Sequence, residues 1–231
     1  QNEDEIDNSK QFTANFSKKF DEEDHELIIE FQTETSSEDE SDLAKNTSIF
    51  DQESESFETQ RRTLLQIDYI WPINENSQFE LGYRGNFSFQ ETEYNVFDLL
   101  NTGRISNTQL TNFLGFTQNV NAAYTQFGKK INKFSYLIGL RMEKTHIEIN
   151  QRTSNIYKEK DYTDWFPTLN LSYEFNKKEN ITLGYSRRIK RPRSWSLNPF
   201  RSLTSLTFFR QGNPDLDPVS YTHLTLPTIL L

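Results

Sequence analysis

The sequence predicts an all-β chain that forms part of an antiparallel transmembrane β-barrel. Three observations support this fold class. Apolar side chains recur at every second position over long segments, short turns alternate with long polar connections, and no run of about 18 apolar residues is present that would form a membrane helix. Roughly eight strands are expected, each near or above the nine to eleven residues that a tilted strand needs to cross a bilayer.

The clearest strand covers residues 79–89. Its alternate residues from Phe79 are apolar apart from Gly85, and the residues between them are polar apart from Gly82. Because strand side chains alternate between two faces, this segment has one apolar face, which we assign to lipid. The same pattern predicts strands at 12–20, 27–33, 63–71, 115–127, 134–142, 165–173 and 181–185, the apolar row of 115–127 being Phe116, Val120, Ala122 and Tyr124.

The connections between these strands alternate in length. Short turns are expected at 21–24, 72–76, 128–132 and 176–180, where Asn, Gly, Pro and charged residues favour tight hairpins. Long polar connections are expected at 36–57, 98–111 and 151–161. Outer-membrane barrels have short periplasmic turns and long extracellular loops, and the chain follows this layout.

Aromatic residues cluster beside the short turns, as the interfacial girdle of a barrel requires. The alternative is that they form the core of a soluble β-sandwich, and composition alone leaves that alternative open. The mean hydropathy of −0.79 is compatible with a barrel wall, since only alternate residues must be apolar. The girdle residues are Phe20, Tyr69, Trp71, Phe79, Phe134, Tyr136, Tyr173 and Phe175.

The net charge of −9 is concentrated in one segment, because residues 34–58 contain nine acidic residues and a single base, Lys45. This composition favours a solvated, mobile loop. The segment lacks the ligand spacing of a calcium loop, so no metal site is assigned. Cysteine is absent, which excludes disulfides and thiolate metal sites within the chain.

No catalytic arrangement is found in the sequence. His25, His146 and His223 are far apart and have no metal-ligand or triad spacing, and no nucleophile elbow or phosphate-binding glycine loop is present. We therefore expect neither an enzyme nor a cofactor.

A basic cluster lies at the end of the last predicted strand and consists of Arg187, Arg188, Lys190, Arg191 and Arg193. We expect these side chains to pair with wall carboxylates such as Glu143 and Asp164. The alternative is a dedicated anion site, because guanidinium groups pair well with phosphate oxygens. Nucleic acid is not expected as a partner, given the acidic net charge.

Two motifs follow this cluster, Leu197-Asn198-Pro199-Phe200 and Gly212-Asn213-Pro214-Asp215-Leu216-Asp217-Pro218. Together with Pro167, Leu169, Leu171, Tyr173, Tyr185-Ser186-Arg187-Arg188 and Arg191-Pro192, they resemble the late-middle barrel of TonB-dependent receptors, specifically the large outer-membrane beta-barrel receptor-like family. Proline cannot donate to a strand ladder, so the motif residues are expected to build a turn-rich loop. They are Arg191, Pro192, Asn198, Pro199, Phe200, Gly212, Asn213, Pro214, Leu216 and Pro218.

The resemblance implies an outer-membrane receptor that binds a scarce nutrient and imports it with energy passed on by the TonB complex through a plug. Such receptors close about 22 strands. The sequence shows neither a plug nor a TonB-contacting box, so the chain is expected to be an internal piece of the barrel. The alternative is a surface adhesion or assembly barrel without active transport.

Residues 1–218 are assigned to the partial barrel, and residues 219–231 to a tail of different origin. After Pro218 the sequence VSYTHLTLPTILL departs from the family pattern and resembles translated sequencing-adapter read-through. Pro227 is also unfavourable in a central strand. The alternative is a divergent barrel strand.

Overall fold

The computed structural model describes residues 2–44, 51–176, 179–205 and 208–225. Its only helix within these ranges is α1 (Ser194–Leu197), so no described helix is long and apolar enough to cross a membrane. The strands are β1 (Asn2–Lys19), β2 (Glu26–Ala44), β3 (Asp51–Asn74), β4 (Ser77–Leu100), β5 (Gly103–Ser106), β6 (Asn112–Ile131), β7 (Phe134–Gln151), β8 (Ile156–Asn176), β9 (Glu179–Lys190), β10 (Arg201–Ser205), β11 (Phe208–Gln211) and β12 (Val219–Thr225).

The long strands form one antiparallel sheet in the order β1-β2-β3-β4-β6-β7-β8-β9-β12, with β5 paired to the end of β4. β10 and β11 form a separate hairpin. The order follows the chain, as in an up-and-down barrel wall. In the described residues β1 and β12 are the two edges of the sheet, which therefore stays open, and the predicted partial antiparallel barrel is confirmed.

β12 pairs with β9 from Val219 to Thr225. Residues 226–231 lie outside the described residues. The separate origin of residues 219–231 stays a prediction.

The connections at one rim are long, as predicted, but most of their length is paired strand. β2 continues to Ala44 and β3 begins at Asp51, while residues 45–50 lie outside the described part of the chain. β4 continues to Leu100, and β8 begins at Ile156. In these extensions both faces of the strands carry mostly polar residues. The period-two pattern of apolar residues is therefore missing from the sequence, although the backbone pairing between the strands continues. Cross-strand hydrogen bonds such as Gln52 Nε2 to Asp98 Oδ1 (2.9 Å) accompany it.

The acidic segment predicted as a mobile loop thus belongs largely to β2 and β3. The ladder places Asp7, Glu38 and Glu58 directly opposite one another on three neighbouring strands. Carboxylate oxygens of Glu5, Asp7 and Glu38 lie within 4.8 Å of one another on the exposed surface. Partial burial, with these neighbouring carboxylates, raises the pKa of Glu38.

Replacing Glu38 by Gln is expected to stabilise the protein by less than about 1 kcal/mol at pH 7. A carboxyl whose pKa is raised in the folded state destabilises that state once pH exceeds the pKa of the unfolded chain. The gain should therefore disappear well below pH 4.5, the ordinary pKa of a glutamate, where Glu38 is protonated in both states. Urea unfolding at neutral and at acidic pH measures this. Glu34→Gln is the control, because Glu34 lies opposite Arg62 and should gain nothing; an equal gain in the two variants would contradict the prediction.

The apolar rows of the strands form a continuous belt on one face of the sheet, which we call the outer face. Phe79 lies opposite Trp71 and Phe127, and Tyr83 lies opposite Ile67. The row from Phe79 to Phe89 extends for about 33 Å along its strand, or about 25 Å at a tilt near 40°, the height of a barrel's lipid-facing band. Large apolar side chains exposed on this face include Phe12, Phe16, Trp71, Leu81, Phe87, Phe89, Phe134, Ile138, Leu140, Trp165, Tyr173 and Ile181.

The predicted girdle aromatics make ring contacts near the short turns. Phe20 stacks on His25 with 4.3 Å between ring centroids, and His25 Nε2 lies 2.8 Å from the hydroxyl of Tyr69. Tyr173 contacts Phe175 edge-on at 5.1 Å. His25 is therefore held within an aromatic cluster at the rim.

The opposite, inner face is polar along residues 78–90 of β4 but partly apolar in β6 and β7. The predicted row Phe116, Val120, Ala122 and Tyr124 lies on this inner face, because the β4–β6 register places Phe127, not Phe116, in the row of Phe79. The predicted apolar row of β6 therefore faces away from the lipid-facing row of β4. Phe116 and Ala122 are both buried, and Phe116 packs in a cluster with Leu197 from a later segment of the chain that covers part of this wall.

Tyr124 crosses β4 on the inner face and donates a hydrogen bond to Asp68 on β3. Its ring lies over Gly82, where a Cβ would come within 2.3 Å of the ring. Gly82→Ala is expected to displace Tyr124 and to lower the free energy of unfolding by about 1–3 kcal/mol. Gly115→Ala is the control, because its Cβ would meet nothing closer than 3.8 Å. Equal losses for the two variants in urea unfolding would contradict the close packing at Gly82.

Candidate functional site

After β9 the chain folds back onto the inner face of β6, β7 and β8. We call residues 191–218 the inner segment; residues 206 and 207 within it lie outside the described residues. Leu197, at the end of α1, is 1% exposed and belongs to an apolar cluster that also includes partly buried Tyr162. The wall residues of this cluster are Leu114, Phe116, Ile147 and Ile149.

Two lysines of β8 bind the far end of the inner segment. Lys158 donates to Asp215, and its ammonium lowers the pKa of that carboxyl. Lys160 donates to the Leu216 carbonyl at 2.7 Å and to Asp217 at 3.1 Å. The sequence offered no signal for these pairs, because β8 was predicted to begin only at residue 165.

The near end of the inner segment is held by Arg191. Its guanidinium donates to Glu143 Oε2 and to the Thr145 hydroxyl, the latter at 3.1 Å. Glu143 Oε1 accepts a second bond from Arg141 Nε at 2.6 Å. Glu143 is 8% exposed, so this carboxylate links two arginines in a largely water-excluded position.

The first family motif forms a turn after α1. Asn198 Oδ1 accepts a hydrogen bond from the Phe200 amide at 3.0 Å, and the Pro199 carbonyl accepts one from Gln211 at 2.8 Å. Phe200 is buried. Pro192, between Arg191 and α1, is half-buried.

The second family motif packs against the first. The amides of Gly212 and Asn213 donate to the carbonyls of Asn198 (2.8 Å) and Ser196 (2.9 Å). Asn213 then begins a β-turn with Pro214 in its second position, closed by the Leu216 amide at 3.2 Å from the Asn213 carbonyl. Pro218 lies one residue before β12. These contacts join the two motifs, and the structural role of the motif residues stays a prediction.

Gly212→Ala is expected to destabilise the inner segment by about 1–3 kcal/mol. A Cβ at Gly212 would lie 2.6 Å from the backbone carbonyl oxygens of Asn198 and Ser196, and backbone cannot rotate away as a side chain can. Faster proteolysis of the inner segment in the intact protein measures the effect. Gly128→Ala is the control, since its nearest contact would be 3.4 Å; unchanged proteolysis of Gly212→Ala would refute this packing.

The basic cluster separates into paired and unpaired members. Arg191 pairs with Glu143, and Arg187 pairs with Asp164 at 3.5 Å, so the predicted partners are confirmed for these two arginines. Within the described residues, Arg188, Lys190 and Arg193 make no ion pair. Arg141, a third arginine beside them, was missed, although its place between Leu140 and Met142 identified it as an inner-face residue.

A cavity of about 730 Å³ opens beside this cluster, between β8 and β9 on the inner face. Arg141, Arg187, Arg188 and Arg191 line it, and Glu143 is the single acidic residue among its lining groups. Polar side chains such as Asn170 and Ser186 contribute the rest of its polar wall. The arrangement provides several guanidinium donors in one water-accessible space.

The amino-acid sequence matches the outer membrane protein beta-barrel family over residues 18–226. The chain belongs to this family. Proteins of the outer membrane protein beta-barrel family reside in the outer membrane, so the outer face of the sheet contacts membrane lipid. No curated protein matches the sequence.

Sixteen chains of solved structures match the fold of this family member. One is the ferric citrate transporter FecA in its unliganded form, with 13% sequence identity and a TM-score of 0.56. The match covers 78% of this chain and 27% of that chain. At this identity the likeness concerns the fold alone, and the present chain spans about a quarter of the length of FecA.

Proposed function

We propose that the chain forms part of the barrel of a TonB-dependent receptor that binds a scarce nutrient at the cell surface and imports it. The observation that carries this proposal is the inner wall, where a folded-back segment and a polar cavity lie on the face opposite to lipid. A transport barrel needs a polar, water-accessible interior with groups that contact cargo. The resemblance of the two family motifs to those of TonB-dependent receptors supports the same function.

The partners in this proposal are the TonB complex, reached through a plug supplied by the whole protein, and a small nutrient. Nucleic acid has no role, and no chemical step is assigned to the protein.

The test is deletion of the whole gene, followed by growth with iron complexes, cobalamin, glycans or peptides as the limiting nutrient. We expect a growth defect on one nutrient, restored by the intact gene and reproduced by loss of TonB. Normal growth on every nutrient, with loss of surface attachment, would instead identify an adhesion barrel. The acidic extensions of β2 and β3 beyond the lipid belt are the observation that favours that second function.

A further inference from the structure

The cavity on the inner face exists because β9 leaves β8 before β8 ends. The ladder between them starts at the pair Thr168–Ser186, whereas β8 extends outward to Ile156. Beyond the Thr168–Ser186 pair, toward Ile156, the carbonyl of Trp165 accepts a hydrogen bond from the Arg187 guanidinium at 3.3 Å instead of one from a strand amide. The separation of the strands leaves a space that the arginines of β7 and β9 enter.

The charges around this space do not cancel. Four arginines line the cavity, and Glu143 and Asp164 are the carboxylates that pair with them. Two positive charges therefore remain uncompensated by the described residues. These charged groups belong to β7, β8, β9 and the inner segment, whereas Tyr221 and Thr225 of β12 complete the lining of the cavity.

Two of the arginines are held in place before any ligand arrives. Arg141 uses Nε for Glu143 and lies over the Tyr124 ring, 5.4 Å from its centroid. Its terminal nitrogens make no hydrogen bond with the described residues. Arg191 is fixed by Glu143 and Thr145. A guanidinium oriented in this way loses little conformational entropy when it binds a ligand.

Arg188 supplies the free charge. It is an exposed residue of β9 that lines the cavity and makes no hydrogen bond or ion pair with the described residues. Planar guanidinium groups bind the two oxygens of a carboxylate or phosphate through parallel hydrogen bonds. The positive charges would repel a cation, and a neutral ligand would not compensate them.

We propose that this cavity is a binding site for an oxyanion ligand, with Arg188 as the principal contact and with Arg141 and Arg191 as preorganised donors beside it. The site rests on the proposed function and deepens it, because it assigns the nutrient to carboxylate- or phosphate-bearing molecules. Arg141 and Arg191 also position the wall through Glu143, whereas the side chain of Arg188 makes no hydrogen bond or ion pair with the described residues that its loss would remove.

The test uses the full-length protein in phosphatidylcholine nanodiscs, which carry no anionic lipid. Calorimetry with benzene-1,3,5-tricarboxylate and with inorganic phosphate is expected to show binding that weakens as salt is added. Benzene-1,3,5-tricarboxamide, which has the same shape without charge, should not bind. Binding of phosphate but not the tricarboxylate, or the reverse, would support the site and identify which oxyanion class fits the cavity.

Arg188→Gln is expected to weaken binding at least tenfold without changing the unfolding transition. Arg193→Gln is the matched control, because Arg193 is exposed, unpaired within the described residues and absent from the cavity lining. The proposal would be overturned if Arg188→Gln bound the oxyanions as tightly as the wild type does, or if Arg193→Gln lost as much affinity as Arg188→Gln. It would also be overturned if the tricarboxamide bound as tightly as the tricarboxylate. Oxyanion binding without TonB-dependent growth would support the oxyanion site and contradict the transport function. TonB-dependent growth without oxyanion binding would support the transport function and contradict the oxyanion site.

Discussion

Arginine in place of Ile138 is expected to destabilise the protein by about 2–4 kcal/mol, the cost of a guanidinium facing lipid near the bilayer midplane. Ile138 is the central residue of the apolar row 134–142 on the outer face and is 53% exposed. Because this exposed surface contacts hydrocarbon, the charge has no water or carboxylate with which to pair. Reversible urea unfolding of the intact protein in lipid vesicles measures the loss.

The control for this variant is arginine in place of Asn86. Asn86 lies on the inner face of β4, opposite Val120 of β6, and native Arg84 already points to the same face two residues away. We expect a loss below about 1 kcal/mol, since an inner-face charge remains in contact with water. Equal losses at Ile138 and Asn86 would show that the sheet has a solvated outer face and would remove the membrane assignment.

Glu143→Gln is expected to cost about 3 kcal/mol or more, because it leaves Arg141 and Arg191 beside a neutral amide in a largely buried position. The amide keeps the shape of the side chain, so the loss reports the missing charge. The inner segment should then detach more often from the wall.

Cysteine labelling measures this detachment, since the chain contains no other cysteine. A thiol at Leu197→Cys should be protected when Glu143 is present and react faster when Glu143→Gln is added, because Leu197 is 1% exposed. Glu148→Gln is the control: Glu148 lies on the outer side of the same strand and accepts a bond from exposed Tyr157. Unchanged labelling in the Glu143→Gln background would contradict the anchoring role of this carboxylate.

Period-two patterning was sufficient to predict the meander and its lipid face, because residues 79–89 of β4 alternate cleanly between apolar and polar side chains. It was insufficient for β6. There Phe116 is apolar for a different reason, namely the inner segment whose Leu197 packs in the same cluster, and a period alone cannot distinguish contact with lipid from contact with protein. The register with β4, not visible in the sequence, resolves the ambiguity.

The arginine cluster illustrates how far a site can be predicted. Pairing of Arg187 and Arg191 with Asp164 and Glu143 follows from opposite charges on neighbouring strands, and the sequence predicted it. The cavity could not be predicted, since it depends on the ladder between β8 and β9 starting only at Thr168. The polar extensions of β2 and β3 were missed because paired polar strands and polar loops have the same composition.

The acidic extensions and the arginine cavity occupy different parts of the sheet, and their separation affects how a charged solute approaches. β3 and β8 are four strand pairings apart, about 19 Å along the sheet, whereas salt screens charges over about 8 Å at physiological ionic strength. The field of the carboxylates is therefore largely lost at the cavity. An anion that approaches the rim is repelled on the β1–β4 side and attracted on the β7–β9 side, so its route of entry is biased before it touches the wall.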